Sequence, residues 1–229
     1  MISLVGVVKK FGSKTALKDI SFQAKEGEIV GFLGPNGAGK TTTMRLLLGV
    51  LDPTSGSVTV DGMSPTDRRV DVVKTIGYLP ENNPLYPEMK VREYLSFIAE
   101  IKQEDSLDTI IESVDLDNVM DSRIEEISRG YKQRVGLAAA LCGDPKILIL
   151  DEPTSGLDPI EQEKIRNLIY KIRKNKTVIF STHILSEVEE IAGRIIIIYE
   201  GRIVFNGPTP KGKGAVEKLF KKTIAKNMI

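Results

Sequence analysis

The chain has 229 residues, 41% of them hydrophobic, which suffices for one large domain or two small ones with a sizeable core. Its 32 basic and 31 acidic residues leave a formal charge of +1, so no global positive field favours nucleic acid as a partner. The single cysteine, Cys142, excludes an internal disulfide and is typical of a reducing compartment. Because it lies in the apolar stretch 137–142, we expect a buried structural thiol.

The N-terminus does not have the features of a secretory leader. It lacks a basic segment followed by an apolar core, and no apolar run approaches the roughly 20 residues that a bilayer span needs. We therefore expect a soluble or peripheral protein.

In chain order, the first predicted elements are strands. Apolar and turn-forming residues predict strands at 2–8, 19–24 and 28–33, with turns at 12–14 and 26–27. A glycine-rich loop follows the third strand, and apolar side chains at helical spacing then predict a helix at 42–51. Turn signals on both sides of residues 57–60 mark a β-branched strand there.

The middle of the chain changes to helical periodicity. Prolines punctuate a loop from Pro80, after which helical spacing predicts helices at 91–102, 106–114 and 116–120. A further helix follows from Ser128 to Cys142. We interpret residues 82–145 as an inserted α-helical subdomain.

Strands return in the last third. Residues 147–150 and 177–181 are continuous apolar runs, which are typical of central parallel strands, and a helix near 161–173 separates them. A hairpin at 195–205 and a lysine-rich helix at about 214–226 follow. The lysines of that helix form a solvated face or approach anionic headgroups, and the solvated face is the commoner explanation.

Together these elements predict an α/β fold in a single domain, 1–229. It has a mostly parallel, doubly wound sheet, an N-terminal antiparallel β subdomain and the inserted helical subdomain.

The glycine-rich loop matches the pattern G-x-x-x-x-G-K-[ST], which holds nucleotide phosphates. Its glycines let successive N–H groups point inward at the start of a helix whose dipole adds positive potential. We expect Lys40 to reach the terminal phosphates and the Thr41 hydroxyl to bind Mg²⁺, so the sheet is that of a P-loop NTPase core. A glycine-rich turn that binds nothing is the alternative. The loop consists of Gly34, Pro35, Asn36, Gly37, Ala38, Gly39, Lys40 and Thr41, and Thr42 continues it into the helix.

Polar residues follow two of the predicted buried strands. Because ligands gather at the carboxyl ends of parallel strands, we expect these residues to meet the phosphate loop. Asp151 is placed to hold Mg²⁺, and Glu152 to orient or deprotonate the water that attacks the γ-phosphate. His183, the only histidine, is placed to donate a hydrogen bond there; a satisfied structural histidine is the alternative.

Ser128, Arg129, Gly130 and Tyr131 open the helix that runs to Cys142. In isolation, a serine followed by glycine at a helix start is merely an N-cap. Here, however, the chain resembles the ATP-binding cassette family, the ATPase subunits of ABC transporters. The family signature, Leu-Ser-Gly-Gly-Gln, binds the γ-phosphate of nucleotide held by the partner subunit. Ser128 and Gly130 match its serine and second glycine, whereas Arg129 replaces the first glycine and Tyr131 the glutamine.

The resemblance covers essentially the whole chain, with motifs in the family order. It implies that Phe11 stacks on adenine and that Glu81 stands where the family has a glutamine that touches Mg²⁺ and the attacking water. It further implies that Asp158 couples the two active sites of a dimer. The alternatives are a core phenylalanine, a solvated loop acid and a simple helix start, respectively.

The resemblance also implies a function. ATP and Mg²⁺ would be bound in a C2 dimer with a second copy or a homologous subunit, and ATP-driven closure would power a separate transmembrane subunit. The features are most similar to the ABC-2 exporter group, which places the chain in the cytoplasm on the inner face of the membrane, with no nucleic acid expected. A soluble cassette ATPase acting on ribosomes or DNA, and a P-loop kinase or transferase, are the rival interpretations.

Overall fold

Two β-sheets organise the part of the chain that the computed structural model describes, residues 1–173 and 175–227. In chain order the strands and helices are β1 (Ile2–Phe11), β2 (Lys14–Ala24), β3 (Ile29–Leu33), α1 (Lys40–Leu47), β4 (Ser55–Val60), α2 (Arg69–Lys74), β5 (Ile76–Leu79), α3 (Val91–Lys102), α4 (Leu107–Ser113), α5 (Arg129–Leu141), β6 (Ile147–Asp151), α6 (Pro159–Ile172), β7 (Thr177–Thr182), α7 (Leu185–Ile191), β8 (Arg194–Tyr199), β9 (Arg202–Pro208) and α8 (Ala215–Asn227).

The larger sheet brings the polar segments to one edge. Its order is β5-β6-β7-β3-β8-β9; all neighbouring strands are parallel except β8 and β9. The smaller sheet, β2-β1-β4, is antiparallel. Because the carboxyl ends of parallel strands lie at one edge, the segments that follow β5, β6, β7 and β3 are neighbours there.

Apolar side chains cover both faces of the larger sheet. Phe32 and Ile149 pack with the smaller sheet and α1, whereas Leu33 and Leu150 pack with helices α3, α5, α6 and α7. Burial on both faces explains why these strands are continuous apolar runs rather than alternating ones. The predicted fold class, an α/β P-loop core with an N-terminal antiparallel β subdomain and inserted helices, is confirmed.

Helices α3, α4 and α5 lie in the segment predicted to be helical, and the bounds of α3 coincide with the prediction. The Lys90 N–H donates to the Glu93 carboxylate at 3.0 Å, which caps the first turn of α3. Val91 and Leu95 are fully buried on its inner face. The division at 82–145 stays a prediction.

Two predictions of local structure differ from the observed elements, and three short elements were not predicted. Helix α1 occupies Lys40–Leu47 rather than 42–51, because the chain already turns at Gly39 and leaves the helix at Gly49, where φ is +62°. Residues 116–120 form only a 3₁₀ turn at Asp117–Val119. The sequence also did not predict α2, β5 or α7, whose lengths of 6, 4 and 7 residues are too short to establish a period.

Cys142 is buried as predicted, with 1% of its surface exposed. Its thiol donates to the Ala138 carbonyl at 3.4 Å, and burial raises the pKa of Cys142 to about 11. The thiol therefore stays protonated near neutral pH.

Candidate nucleotide-binding site

The glycine-rich loop joins β3 to α1 and encloses the ammonium group of Lys40. Gly39 has a φ of +117°, and a Cβ there would lie 2.6 Å from Leu17 Cδ2, so the turn requires glycine. Lys40 is 5% exposed, and its Nζ donates to the carbonyls of Gly34 at 2.7 Å and Pro35 at 3.3 Å. The unpaired N–H groups at the start of α1 add to this positive charge, so the loop favours an anion.

A cavity of about 760 Å³ opens beside the loop. The predicted site residues that line it are Phe11, Asn36, Gly37, Gly39, Lys40, Thr41, Thr42, Glu81 and Glu152. Phe11 is 47% exposed at its rim, with Lys9 Nζ 5.1 Å from the ring centroid, so the alternative of a core phenylalanine is wrong. Lys14 and Lys18 also line the cavity and were not predicted; two lysines shortly after Phe11 were the available signal.

Glu152 lies between two predicted site residues. Its Oε1 is 3.1 Å from Lys40 Nζ, and its Oε2 is 2.7 Å from Nδ1 of His183. The Glu152 N–H donates to the carbonyl of Ser181 at 3.1 Å and to its hydroxyl at 3.0 Å. With a φ of +51°, the Glu152 backbone is strained, at a typical cost of about 1–3 kcal/mol. The structure thus brings the ends of β3, β6 and β7 together around one buried carboxylate.

Asp151 has one carboxylate oxygen that is hydrogen-bonded and one that is buried and available to bind a cation. Its Oδ1 accepts a hydrogen bond from the Ser181 hydroxyl, while its buried Oδ2 has no hydrogen-bond partner among residues 1–173 and 175–227. Burial and, second, the charge of Asp151 raise the pKa of Tyr78 to about 12. Ser181 was not predicted as a site residue; its place at the end of a buried strand was the available signal.

The residues present fit Mg²⁺ bound together with nucleotide phosphates. Across the described residues no group of three or more His, Cys, Asp or Glu side chains forms a ready cage. Mg²⁺ at nucleotide sites needs no such cage, because one or two carboxylates, phosphate oxygens and water complete its coordination. The unpaired oxygen of Asp151 supplies one such ligand, and Thr41 and Glu81 line the adjacent cavity.

The four residues that open α5 lie apart from this cavity: its lining, within the described chain, includes none of residues 128–131. Ser128 and Arg129 are exposed, and Ser128 Oγ accepts from the Tyr131 N–H at 3.3 Å, which caps the helix. Gly130 is buried, and a Cβ there would come within 2.4 Å of Glu161 Oε2.

Asp158 caps the next helix, α6. Its Oδ1 accepts from the N–H groups of Ile160 and Glu161, both at 3.0 Å. The Arg129 guanidinium lies against Gly156 of the same segment, since a Cβ on Gly156 would be 2.3 Å from Arg129 Cζ. The starts of α5 and α6 therefore form one exposed surface.

A phosphate loop after β3, with acidic residues at the end of β6 and a histidine after β7, defines a P-loop nucleoside triphosphatase. Comparison with known proteins identifies the family. The family model described as "ABC transporter" matches residues 17–155, and a model for an AAA domain (putative AbiEii toxin, type IV toxin–antitoxin system) matches residues 122–189. The chain belongs to the ABC transporter family as an ATP-binding, ATP-hydrolysing member, which confirms the family, function and enzyme class expected from the motifs.

Relatives and a solved structure agree with this. The uncharacterized ABC transporter ATP-binding protein YdbJ of Bacillus subtilis is 39% identical over 208 residues, covering 89% of this chain and 68% of YdbJ. The bacitracin transport ATP-binding protein BcrA of Bacillus licheniformis is 38% identical over 209 residues, again covering 89% and 68%. The ATP-binding cassette MJ0796, a dimer in a post-hydrolysis state bound to ADP and Pi, superposes with a TM-score of 0.82 at 27% identity, covering 93% of this chain and 100% of MJ0796.

In the part of the chain that the structure describes, no helix is both long enough and apolar enough to cross a membrane.

Proposed function

We propose that the chain binds ATP in the cavity beside Lys40 and hydrolyses it with Glu152 as general base. The observation that carries this proposal is the position of the Glu152 carboxylate, 3.1 Å from Lys40 Nζ and 2.7 Å from His183 Nδ1. When ATP binds, the ammonium group of Lys40 leaves the Glu152 carboxylate and the Gly34 carbonyl and contacts phosphate oxygens instead. Glu152 is then free to accept a proton from water, while His183 keeps its carboxylate oriented.

Phe11 and the loop hold the rest of the nucleotide. The half-exposed ring of Phe11 stacks on the adenine, because it stands at the rim of the cavity that Lys40 and Thr41 line. Backbone N–H groups of residues 36–42 bind the phosphates.

Asp151, Thr41 and Glu81 hold Mg²⁺ in this proposal. The buried, unpaired Oδ2 of Asp151 supports its part, and the place of Thr41 and Glu81 on the cavity wall supports theirs. The ion supplies charge neutralisation at the phosphates. Glu81 adds a negative charge that the family's usual glutamine does not have.

The site is completed by a second copy of the chain or a homologous subunit. Ser128, Arg129, Gly130 and Tyr131 open a helix outside their own cavity, and the exposed Ser128 and Arg129 make this helix start available to the ATP of a partner. Asp158 lies beside them and couples the two sites. In a C2 dimer, residues 128–131 of each copy contact the ATP bound by the other copy. The dimer of MJ0796 supports this arrangement.

A separate transmembrane subunit receives the motion, and the chain works on the inner, cytoplasmic face of the membrane. Large apolar side chains are exposed on and before α3: Tyr86 is 55% exposed, Phe97 45% and Ile101 61%. The segment 82–145 is the natural docking unit for the partner. The expected direction is export, and the relatives named for bacitracin transport and lantibiotic transport support a transporter of this kind without giving its direction.

Copurification from native membranes tests the transport proposal. We expect an integral membrane protein to be recovered with the chain, and more of it with ATP and Mg²⁺ than without. Recovery of ribosomes or DNA with no membrane protein would contradict the proposal and favour the soluble alternative.

A further inference from the structure

Glu187, on α7, is a buried acid to which the proposed mechanism gives no role. It is 1% exposed, and its carboxylate accepts hydrogen bonds from the hydroxyls of Thr154 and Thr182, the latter at 2.5 Å. Burial raises the pKa of Glu187, an effect that the two hydroxyl donors oppose. Burying a carboxyl group costs free energy, whereas an apolar side chain at this position would not. The presence of Glu187 in the core therefore indicates a specific role for its carboxyl group.

The two threonines flank the pair that forms the catalytic centre of the proposed function. Thr154 comes two residues after Glu152, and Thr182 directly precedes His183. Thr182 Oγ1 also accepts from the Ile184 N–H at 2.9 Å, which fixes the hydroxyl. The contacts close a ring that runs from Glu152 through Thr154, Glu187 and Thr182 to His183 and back to Glu152 at 2.7 Å.

This ring explains how a strained residue is held in place. A non-glycine residue with a φ of +51° persists only where its surroundings fix it. The Ser181 contacts fix the N–H of Glu152, and the Ser155 N–H donates to the Glu152 carbonyl at 3.0 Å, which closes the turn after Glu152 on itself. The Thr154 hydroxyl connects this turn to Glu187, and Glu187 connects it to the strand end that carries His183.

We propose that Glu187 is a positioning residue that, through Thr154 and Thr182, holds the Glu152 carboxylate against His183 for activation of water. The proposal rests on the role of Glu152 as general base. It makes α7 part of the catalytic apparatus although none of its side chains needs to touch ATP.

Hydroxyl deletions test the ring without removing the acid. We expect Thr154→Val and Thr182→Val each to lower kcat about 10- to 100-fold, since small displacements of a catalytic group cost rates of this order. KM for ATP should change by less than about twofold, because the phosphate contacts are untouched. Thr182→Ser keeps the hydroxyl and should restore kcat.

Thr177→Val is the matched control. Thr177 is a buried threonine at the other end of the same strand, and its hydroxyl donates to the Lys25 carbonyl at 3.2 Å. It should lower stability without lowering kcat. A loss of kcat in Thr177→Val equal to that in Thr182→Val would overturn the proposal, because it would trace the effect to general destabilisation.

His183 gives a readout that does not depend on turnover. As the only histidine, it contributes the only imidazole signals to an NMR spectrum of the nucleotide-free protein. We expect those chemical shifts to move in Thr154→Val, Thr182→Val and Glu187→Leu, and to stay in place in Thr177→Val. Unmoved shifts together with wild-type kcat in both threonine variants would overturn the proposal.

Glu152→Gln distinguishes failure of the proposal for Glu187 from failure of the proposal that Glu152 is the general base. If Glu152→Gln lowers kcat and the threonine variants do not, Glu187 has no positioning role and the general base stands. If Glu152→Gln itself keeps the wild-type rate, the assignment of the base fails, and the proposal for Glu187 fails with it.

Discussion

Replacing Glu152 by glutamine removes the proposed general base and a buried charge in one isosteric step. The loss of a general base typically slows a reaction by about 10²–10⁴-fold. At 1.36 kcal/mol for each factor of ten, the barrier to hydrolysis rises by about 3–5 kcal/mol.

The same substitution should strengthen ATP binding. In the nucleotide-free protein, Lys40 Nζ lies 3.1 Å from Glu152 Oε1, so incoming phosphates compete with a buried carboxylate that also repels them. In the variant, Lys40 keeps the Gly34 carbonyl at 2.7 Å and is not left unpaired. The contact is an ion pair, since Glu152 Oε1 makes no hydrogen bond within the described residues. Its removal should lower the Kd for ATP by roughly tenfold, which corresponds to about 1.4 kcal/mol.

Two assays on the purified chain check both effects. Phosphate release should fall to the predicted range, while titration with ATP should give a lower Kd than for the wild type. Size exclusion with ATP and Mg²⁺ should show a persistent dimer. Glu190→Gln, a surface change at an acid paired with Arg166 at 2.6 Å, is the matched control and should leave all three measurements unchanged. Weaker ATP binding by Glu152→Gln would refute the competition for Lys40, and unchanged phosphate release would refute the general base.

Three further predictions concern the loop, the rim and the core. Lys40→Ala should raise the Kd for ATP about 10- to 100-fold, as expected for lost charged hydrogen bonds; unchanged ATPase activity would contradict the role of the loop. Phe11→Ala should raise the Kd for ATP about tenfold but leave that for inorganic triphosphate unaltered, since only adenine stacks; equal losses would exclude stacking. At pH 8 a thiol reagent should modify Cys142 at least about 100-fold more slowly in the folded chain than in urea, because a pKa of about 11 keeps the thiolate scarce. Equal rates would show an exposed thiol.

The sequence carries those features of the site that depend on neighbours along the chain. The phosphate loop is a contiguous pattern, so Lys40 and its helix were predictable from spacing alone. Glu152 and His183 were predictable because each follows a buried strand, and parallel strands deliver their ends to one edge.

Features that depend on distant neighbours could not be predicted. The hydroxyls of Ser181 and Thr182 look like ordinary strand ends in the sequence; their importance arises from contacts with Asp151 and Glu187 across segments that only the fold brings together. Glu187 itself lies on a helix of 7 residues, which is too short for its apolar periodicity to be recognised in the sequence. For Phe11, the residue type favoured a place in the core. Only its position at the rim of the cavity distinguishes a ring that stacks on adenine from a core phenylalanine.

The central claim is that Ser128 of a second copy completes each ATP-binding site. Mixing two variants, each defective in a different half of the site, tests this claim most directly. Lys40→Ala disables the loop. Ser128→Asp keeps a good N-cap for α5 while placing a negative charge against the γ-phosphate. At an ATP concentration near the wild-type Kd, each variant alone should have little ATPase activity.

In a mixed dimer, the intact loop of one variant meets the intact signature of the other. With random pairing, half of the dimers are mixed and each has one complete site, so an equimolar mixture should recover ATPase activity up to about a quarter of the wild-type value; coupling through Asp158 to the defective site can only lower it. Recovery clearly above the activity of either variant alone supports a site that is shared between two copies. A mixture as inactive as its components, although mixed dimers are shown to form, would contradict it.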